Sequence, residues 1–301
     1  MIKLVITILV IAVLALVIWH DTHNFVVRNY EVKTDKIKGD LTFVLLSDLH
    51  GYNYGKDNEK LISAIDGIGP DAILCAGDMF TAREIKGRVH TRQGEIVLKN
   101  LASRYPVYAS NGNHEEKIKS YTQEFGNLFD RYREGLVRSG VTYLENESVF
   151  FEPVYKDGGG ADKPFTGKIR ITGLELGLSY FRKVVKLRLE QSTIKEKIGE
   201  IKGSDRDAFN ILIAHNPQYF NEYAAWGADL TVSGHVHGGI IRLPFLGGVI
   251  SPAIVLFPKY DGGKYVRDGK TMILSRGLGT HTIHVRLFNP AEISVINIKG
   301  V

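Results

Sequence analysis

Side chains that bind divalent metal ions recur in five clusters, and each cluster directly follows a short apolar run. The clusters read Ser47-Asp48-Leu49-His50, Gly77-Asp78, Gly112-Asn113-His114-Glu115, His215-Asn216-Pro217 and Gly234-His235-Val236-His237. They supply carboxylates, imidazoles and an amide without any thiolate, a combination that suits Mn, Fe, Zn or similar ions. The candidate metal ligands are therefore Asp48, His50, Asp78, Asn113, His215, His235 and His237.

The size of this ligand set indicates the chemistry. Seven ligands are too many for one tetrahedral site, and they are the right number for two ions that share a bridging carboxylate. Two cations roughly 3.5–4 Å apart hold both the attacking and the leaving oxygen of an in-line phosphoryl displacement. A water held between such ions loses a proton near neutral pH and becomes a nucleophile. The residues therefore predict hydrolysis at phosphorus.

The apolar runs in front of the clusters predict the strands that position them. Runs such as Leu41–Leu46 and Ala72–Ala76 are short and almost wholly apolar, as in strands buried on both faces. Ligands in open α/β sheets gather at the carboxyl ends of strands, so clusters that are remote in sequence are expected to converge. Helices are predicted at Glu59–Ile68 and Thr122–Ser139, and strands dominate the second half of the chain. This order predicts layered α/β packing with two sheets between helices.

Each cluster alone has a simpler explanation. A Gly-Asp pair is common in turns, and a single His after a strand is more often hydrogen-bonded structure than a metal ligand. Gly-Asn-His-Glu and Gly-His-Val-His are more specific. All five clusters, in this order and each at a strand end, favour the metal site over the structural explanation.

The five clusters also resemble the motifs of the calcineurin-like metallophosphoesterases, over about Leu41–Glu292. The resemblance implies a four-layer α/β/β/α sandwich of two mixed sheets flanked by helices. The apolar N-terminus, Gly-His-Val-His-Gly-Gly and Ser275-Arg276-Gly277-Leu278-Gly279-Thr280 are most similar to the membrane-anchored bacterial phosphodiesterases of that family. Carried over to this sequence, the family pattern implies one metal at Asp48, His50 and His237, a second at Asn113, His215 and His235, and Asp78 as the bridge.

The same resemblance implies a catalytic role for His114, which would donate a proton to the leaving oxygen or stabilise the phosphoryl charge. Many relatives carry an acid three residues after the bridging Asp that orients this His, and here that position is Thr81. Glu115 is a candidate for support of the site from behind the ligands. The remaining histidines, including His281 and His284, are expected to be structural or exposed. Arg276 is expected to contact either a substrate phosphate or an acidic side chain.

The N-terminus predicts a membrane anchor. Leu4–Trp19 is apolar except for Thr7, and its length of about 16 residues is slightly short of the roughly 20 that span a bilayer. A cleaved signal peptide is the alternative, but the chain has no Ala-x-Ala pattern after the apolar stretch. We therefore expect one transmembrane helix within residues 1–24 and a metallophosphoesterase domain at 25–301. Lys3 favours a cytoplasmic N-terminus, which places the domain outside the cell membrane.

The charge balance limits the partners. A formal net charge of +5 fits work near anionic lipid or on phosphorylated substrates. No nucleic acid is expected, because no familiar nucleic-acid-binding motif occurs. Tyr180–Lys186 mixes aromatic and basic residues, which is typical of a solvated helix start and also of a segment that rests on a bilayer. The single cysteine, Cys75, lies in a predicted strand and is expected to be a core residue. The oligomeric state is not indicated.

Two functions compete at this point. The first is hydrolysis of a phosphomonoester, phosphodiester or pyrophosphate in a membrane or the cell envelope, with a lipid-linked nucleotide-sugar pyrophosphatase as one version. The second is a non-catalytic membrane-bound scaffold on the same fold, which has no need of a complete ligand set. Substrate selectivity is expected in the loops Tyr52–Asn58, Thr81–Gly94 and Lys156–Gly167.

Overall fold

The structure is a computed structural model that describes residues 1–85, 87–153, 165–182, 187–243, 245–251, 255–280 and 284–301. Its α-helices are α1 Ile2–His23, α2 Glu59–Ile68, α3 Arg92–Ala102, α4 Asn113–Ser120, α5 Thr122–Phe125, α6 Leu128–Val137, α7 Gln191–Ile198 and α8 Phe220–Trp226. Its first nine strands are β1 Phe25–Thr34, β2 Ile37–Lys38, β3 Asp40–Leu46, β4 Ala72–Cys75, β5 Glu84–Ile85, β6 Arg88–Val89, β7 Val107–Ala109, β8 Val141–Tyr143 and β9 Ser148–Phe151. The others are β10 Thr166–Gly167, β11 Ile169–Leu174, β12 Phe209–Ala214, β13 Leu230–Ser233, β14 Ile241–Leu243, β15 Gly247–Ile250, β16 Gly263–Arg267, β17 Lys270–Leu274 and β18 Ala291–Gly300.

Two six-stranded mixed sheets form the centre of the fold. The first has the order β1-β18-β3-β4-β7-β8, in which β3, β4, β7 and β8 are parallel and β18 runs antiparallel to β3. The second has the order β16-β17-β13-β12-β11-β9, in which only the two edge strands run antiparallel to their neighbours. The pairs β2–β10, β5–β6 and β14–β15 form small separate sheets.

Three hydrophobic clusters hold the layers together. Between the two sheets, side chains such as Phe43 and Leu74 of the first pack with Ile211 and Val232 of the second. The outer face of the first sheet packs on α2, α3 and α6. The outer face of the second packs on α7 and α8. The predicted four-layer α/β/β/α sandwich of two mixed sheets is confirmed, because each sheet buries one face on the other and one on helices.

The predicted strands before the polar clusters form as β3, β4, β7, β12 and β13. Their buried side chains explain why the sequence runs are apolar without alternation. Cys75 ends β4 and is 1% exposed, and burial raises the pKa of its thiol to about 12. The expectation of a core cysteine is confirmed.

The prediction of one helix over Thr122–Ser139 is wrong. The segment divides into α5 and α6 at Gly126, whose φ of 59° lies in the left-handed region where an α-helix cannot continue. Helix α4 was not predicted. Its sequence, Asn-His-Glu-Glu-Lys-Ile-Lys-Ser, has one large apolar residue and therefore no helical periodicity to detect.

Helix α1 has the length and apolar composition of a membrane span, features that a signal sequence near the N-terminus shares. The Thr7 hydroxyl donates to the Lys3 carbonyl at 3.0 Å, which satisfies it within the helix. The last turn of α1 is built into the fold. Thr22 Oγ1 accepts the Arg286 N–H at 3.2 Å, and the Asp21 carboxylate accepts the Asn289 N–H at 2.9 Å.

Strand register fixes where α1 meets the domain. The first residue of β1, Phe25, pairs with Ala291 at the start of β18. Further along β18, Ser294 pairs with Leu45 near the end of β3. Since β18 runs antiparallel to β3, the start of β1 lies at the carboxyl end of β3. This is the end at which Leu46 is followed by Ser47 and Asp48. Helix α1 therefore joins the domain at the sheet edge that carries the candidate ligands.

Candidate metal centre

The candidate ligands lie at the carboxyl ends of the strands, and many of them are held in an unusual backbone conformation. Five adopt a positive φ: Asp48, His50, Asp78, His235 and His237. This conformation costs of order 1–3 kcal/mol for a residue other than glycine, and such residues concentrate at functional sites. The strand ends are therefore shaped to direct these side chains toward one another.

The first group of ligand atoms comes from Asp48, His50 and His237, which lie within 4.8 Å of one another. The Nε2 atoms of the two histidines are 3.0 Å apart, and their rings are stacked. Asp48 Oδ1 is 3.3 Å from His237 Nε2 and 3.8 Å from His50 Nε2. Two imidazoles and a carboxylate thus converge on one position.

The second group comes from Asp78, His215 and His235, also within 4.8 Å. Asp78 Oδ2 is 3.1 Å from His215 Nε2. Asn113 joins this group through its Oδ1 atom, which lies 2.8 Å from His235 Nδ1. All the predicted ligands are thus brought together, in the two sets that the sequence resemblance implied.

Both carboxylates lie between the two groups. Asp78 Oδ2 is 3.9 Å from His50 Nε2 in the first group, and Asp48 Oδ1 is 3.9 Å from His215 Nε2 in the second. Asp78 Oδ1 accepts the backbone N–H of His114 at 2.8 Å, which fixes the orientation of the Asp78 carboxylate. Each of the two carboxylates therefore lies within 4 Å of a ligand atom in the other group.

His215 shows that the centre fits a cation. Its Nδ1 lies 2.5 Å from the Ala76 carbonyl, so Nδ1 carries a proton and Nε2 is the atom turned to the site. Nε2 is buried and has no hydrogen-bond partner among the described residues, although Asp78 Oδ2 is 3.1 Å away. A lone pair facing a carboxylate requires a proton or a metal ion between them. Burial alone would lower the pKa of His215, but the negative charge of Asp78 has the larger effect and raises it to about 9.

The protonation states of Asp48, Asp78 and His235 favour a divalent ion in the centre. Burial acts against the charged form of Asp48, but His237 and His215 hold the pKa of its carboxyl well below the ordinary value. His215 does the same for Asp78. Burial, with the charge of His215, lowers the pKa of His235 to about 3. Near neutral pH the two carboxylates are therefore charged and His235 is a neutral ligand, as divalent ions require.

Contacts behind the ligands orient the imidazole rings. His50 Nδ1 is 3.1 Å from Thr81 Oγ1, and His237 Nδ1 is 3.3 Å from the Gly279 carbonyl. Metal-binding histidines usually make such a contact with their second ring nitrogen, which fixes the tautomer. Thr81 therefore supports the ring of His50.

His114 is oriented by the backbone instead of by an acid. Its Nδ1 accepts the Ala82 N–H at 2.8 Å, which leaves the proton of the neutral ring on Nε2. Its ring meets that of His50 edge to face, with centroids 5.0 Å apart. One of its ring nitrogens lies within 4.8 Å of ligand atoms of His50 and Asp78. Burial is the main cause that lowers the pKa of His114.

Glu115 supports the loops that carry Asp78 and Asn113. Its carboxylate is 1% exposed and accepts the backbone N–H groups of Asp78, Met79 and Gly112 at 2.8, 2.9 and 3.0 Å. The supporting role considered from the sequence is thus what the geometry favours.

Sequence reasoning missed Arg286 and Asn289. The buried Arg286 guanidinium donates to the carbonyls of Arg276, Gly277 and Gly279. The Asn289 side chain donates to the carbonyl of His237 at 2.7 Å and to that of Gly239 at 2.5 Å. Both act through distant backbone, so their sequence neighbours carry no signal for the role.

Other candidates are structural. Arg276 pairs with Glu292 at 3.5 Å. His284 contacts the Thr280 hydroxyl at 2.7 Å, and His281 lies outside the described residues.

A cavity of about 250 Å³ adjoins the centre at His235. Aromatic and apolar walls come from residues such as Phe181, Phe257 and Tyr260, and cationic side chains come from Arg182 and Lys259. These segments differ from the loops in which selectivity was expected. Within Tyr180–Lys186, the described residues line this cavity, and residues 183–186 lie outside the described part.

Comparisons with known proteins show what this chain is similar to. A sequence model of the family described as calcineurin-like phosphoesterase matches residues 41–239. A metallophosphoesterase of Campylobacter jejuni, named uncharacterized, is 26% identical over 91% of this chain and 63% of its own length. One of Aquifex aeolicus, also named uncharacterized, is 27% identical over 93% of this chain and 94% of its own. The solved calcineurin-like phosphoesterase YfkN of Bacillus subtilis aligns over 78% of this chain and 88% of its own, at 16% identity and a TM-score of 0.40.

Proposed function

Because the chain belongs to the calcineurin-like phosphoesterase family and is a metallophosphoesterase, we propose that it hydrolyses phosphoesters with two divalent ions. Asp48, His50 and His237 would hold one ion, Asn113, His215 and His235 the other, and Asp78 would bridge them. The observation that carries this proposal is the convergence of two ligand groups at strand ends, with the Asp78 carboxylate between them. The ligand types accept Mn, Fe, Zn or a similar ion.

The chain's own residues divide the work. When bound, the ions supply Lewis acidity for the phosphoryl oxygens and a water that is acidic near neutral pH. Thr81, Ala76 and Gly279 hold the imidazole rings in one tautomer. The Ala82 N–H donates to His114 Nδ1 and so fixes the tautomer with its proton on Nε2, from which His114 would donate to the leaving oxygen.

Metal dependence tests the hydrolase directly. Full-length protein stripped with a chelator is expected to lose hydrolysis of bis-p-nitrophenyl phosphate, and added Mn²⁺ is expected to restore it. The measurements are nitrophenolate release and bound metal per chain. Protein that binds no metal, or that hydrolyses the diester equally well without it, would contradict the proposal and favour the non-catalytic scaffold.

Replacing His114 by Asn tests the proton donor. The Asn Oδ1 takes the place of His Nδ1 and still accepts the Ala82 N–H, whereas the Nε2 donor is lost. We expect kcat for an alkyl phosphodiester, a poor leaving group, to fall by about 10²–10⁴. The loss on a nitrophenyl diester should be much smaller, because nitrophenolate leaves without a proton.

Two measurements control this experiment. Bound metal should be unchanged in His114→Asn, since the proposal gives this residue no metal. The exposed His284, replaced by Asn in the same way, should leave both rates unchanged. Equal losses on the two leaving groups would show that His114 acts by some means other than proton donation.

We further propose that residues 1–24 anchor the domain formed by 25–301 in the cell membrane. The buried last turn of α1 supports an uncleaved helix, because removal of the N-terminal segment would strip Asp21 and Thr22 from their partners. Lys3 favours an outward orientation of the domain.

The cavity favours a substrate of the membrane or cell envelope. It begins at His235, offers cations at Arg182 and Lys259, and has apolar walls at Val255 and Phe257. A phosphodiester or pyrophosphate with both polar and apolar parts matches this lining. A lipid-linked nucleotide-sugar pyrophosphatase is the more specific version, which the stacking surfaces of Phe181 and Tyr260 favour.

A further inference from the structure

We infer that an apolar rim beside the metal centre enters the bilayer that holds α1, so that the cavity opens at the lipid surface. The inference rests on the proposed membrane anchor and deepens the proposed function, since it limits the substrate to amphiphilic phosphoesters whose apolar part stays in the bilayer. The apolar rim consists of Leu243, Phe245, Leu246, Leu256 and Phe257.

The rim residues are exposed and lie on two neighbouring segments, the β14–β15 hairpin and the segment that pairs with β15. Phe245 is fully exposed at the turn between β14 and β15, and Leu246 is 64% exposed. Leu256 and Phe257 lie against β15, because Phe257 donates its N–H to the Val249 carbonyl and Leu256 bridges Ile250. Single exposed apolar residues are ordinary, but a group of large ones on neighbouring segments marks an interaction surface.

The backbone of the rim is also unusual. Phe245 and Phe257 have φ values of 67° and 45°, and nearby Phe288, which is 46% exposed, has 55°. Bulky residues rarely adopt this left-handed conformation. Three aromatic side chains are thus held outward at a conformational cost, which contact with an apolar phase would offset.

Hydrogen bonds connect the rim to the end of α1. The Arg242 N–H donates to the Leu287 carbonyl at 3.0 Å, and the Leu287 N–H donates to the Ile240 carbonyl at 3.2 Å. The residue before Leu287 is Arg286, whose N–H is bound by Thr22 of α1. The base of the β14–β15 hairpin is therefore one residue away from the anchor. This continuity identifies the bilayer as the occupant of the exposed surface.

The metal centre also lies next to the end of α1. The backbone N–H of Asn289 donates to the Asp21 carboxylate of α1, and the Asn289 side chain donates to the His237 carbonyl. A single residue thus joins the end of the anchor to a candidate ligand. The strand register also puts the start of β1 at the ligand-bearing edge of the first sheet.

The cavity runs between the centre and the rim. His235 borders it on one side, and Val255, Phe257 and Pro258 border it on another. Lys259 belongs to the same wall, with its Nζ 4.9 Å from the centre of the Tyr260 ring. Lysine beside aromatic rings suits the headgroup layer of an anionic membrane. A substrate phosphate at the metals would therefore leave its apolar part directed to the lipid.

Site-specific labelling of the full-length protein tests the inference. The only cysteine, Cys75, is buried, so a new cysteine takes up an environment-sensitive fluorophore selectively. The label is placed at Phe245→Cys or, as a second rim site, Leu246→Cys, in liposomes of phosphatidylcholine and phosphatidylglycerol with doxyl-labelled lipid. Quenching at the rim is expected to be at least about threefold that at a control site.

Val137→Cys is the matched control, because Val137 is also apolar and exposed. It precedes β8, the far edge strand of the first sheet, at the end of the strands opposite the ligands. Leu9→Cys, within α1, reports the anchor itself. Strong quenching at Leu9 with rim values equal to those at Val137 would overturn the inference, as would an unquenched Leu9, which removes its premise.

Diester hydrolysis by the same labelled proteins separates the two proposals. Rim quenching without metal-dependent hydrolysis would reject the proposed catalysis and retain the membrane contact. Hydrolysis without rim quenching would reject the membrane contact alone and would point to a protein partner for the rim. Phe245→Ser should leave nitrophenyl diester hydrolysis unchanged, because Phe245, unlike Phe257, is not among the described residues that line the cavity.

Discussion

Replacement of Asp78 by Asn is expected to lower metal-dependent hydrolysis by about a thousandfold. Asp78 lies between the two ligand groups, 3.1 Å from His215 Nε2 and 3.9 Å from His50 Nε2. An amide has nearly the same shape but lacks the negative charge that holds two cations together. The Asn Oδ1 can still accept the His114 N–H, so the local backbone should persist.

Bound metal and thermal unfolding distinguish this result from a loss of folding. We expect Asp78→Asn to bind less metal than the wild-type protein and to unfold cooperatively. Asp66→Asn is the matched control, because Asp66 pairs with Arg104 and Tyr105 at the surface and should not affect metal or rate. Full activity of Asp78→Asn would contradict the bridging role.

Replacement of Gly112 by Ala is expected to disturb the centre although it replaces no ligand. A Cβ at this position would lie 2.2 Å from Asp78 Oδ1 and 2.5 Å from its backbone nitrogen. The backbone of Gly112 is extended, with φ −92° and ψ −173°, so the clash alone causes the effect. We expect unfolding free energy to fall by about 3 kcal/mol and activity by about a hundredfold, since small displacements of reacting groups are costly.

Gly67→Ala is the control for that substitution. Gly67 lies in α2, and a Cβ there would meet nothing within 4 Å. Alanine in a helix should raise the unfolding free energy by about 0.5–1 kcal/mol, with no change in activity. Denaturant unfolding and diester hydrolysis measure both effects. If Gly112→Ala behaves like Gly67→Ala, the backbone at Gly112 can move away from Asp78 without cost.

The sequence predicted the strands and the ligand-bearing edge of the sheets best. Polar residues directly after buried apolar runs predicted both the strands and the side at which their ligands meet. Helix α4 escaped prediction because its stability comes from tertiary contacts of Glu115 and Ile118 and its surface has no apolar periodicity. At Gly126 a single helix was predicted where the structure has two, since nothing in the flanking residues indicated that the backbone of Gly126 would turn left-handed.

The contacts behind the site depend on residues that are distant in sequence. Arg286 and Asn289 act on carbonyl groups of loops that follow different strands, so only the assembled fold gives them partners. The position of α1 relative to the ligands depends on the pairing of β1 with β18, and no sequence pattern indicates the register of these two strands. The cavity was missed for the same reason, because its walls come from four separate segments.

The place of β18 in the first sheet has a consequence for the order in which the protein is made and folded. This last strand lies between β1 and β3, and Tyr30 of β1 hydrogen-bonds Glu292 across 262 residues of chain. During synthesis β3 is made well before β18, so the edge of β3 that pairs with β18 stays unpaired until β18 is made. Pairing over such a separation is slow and leaves that edge open to aggregation. Assembly of the sheet edge that carries Asp48 therefore waits until β18 has been made and has paired with β3.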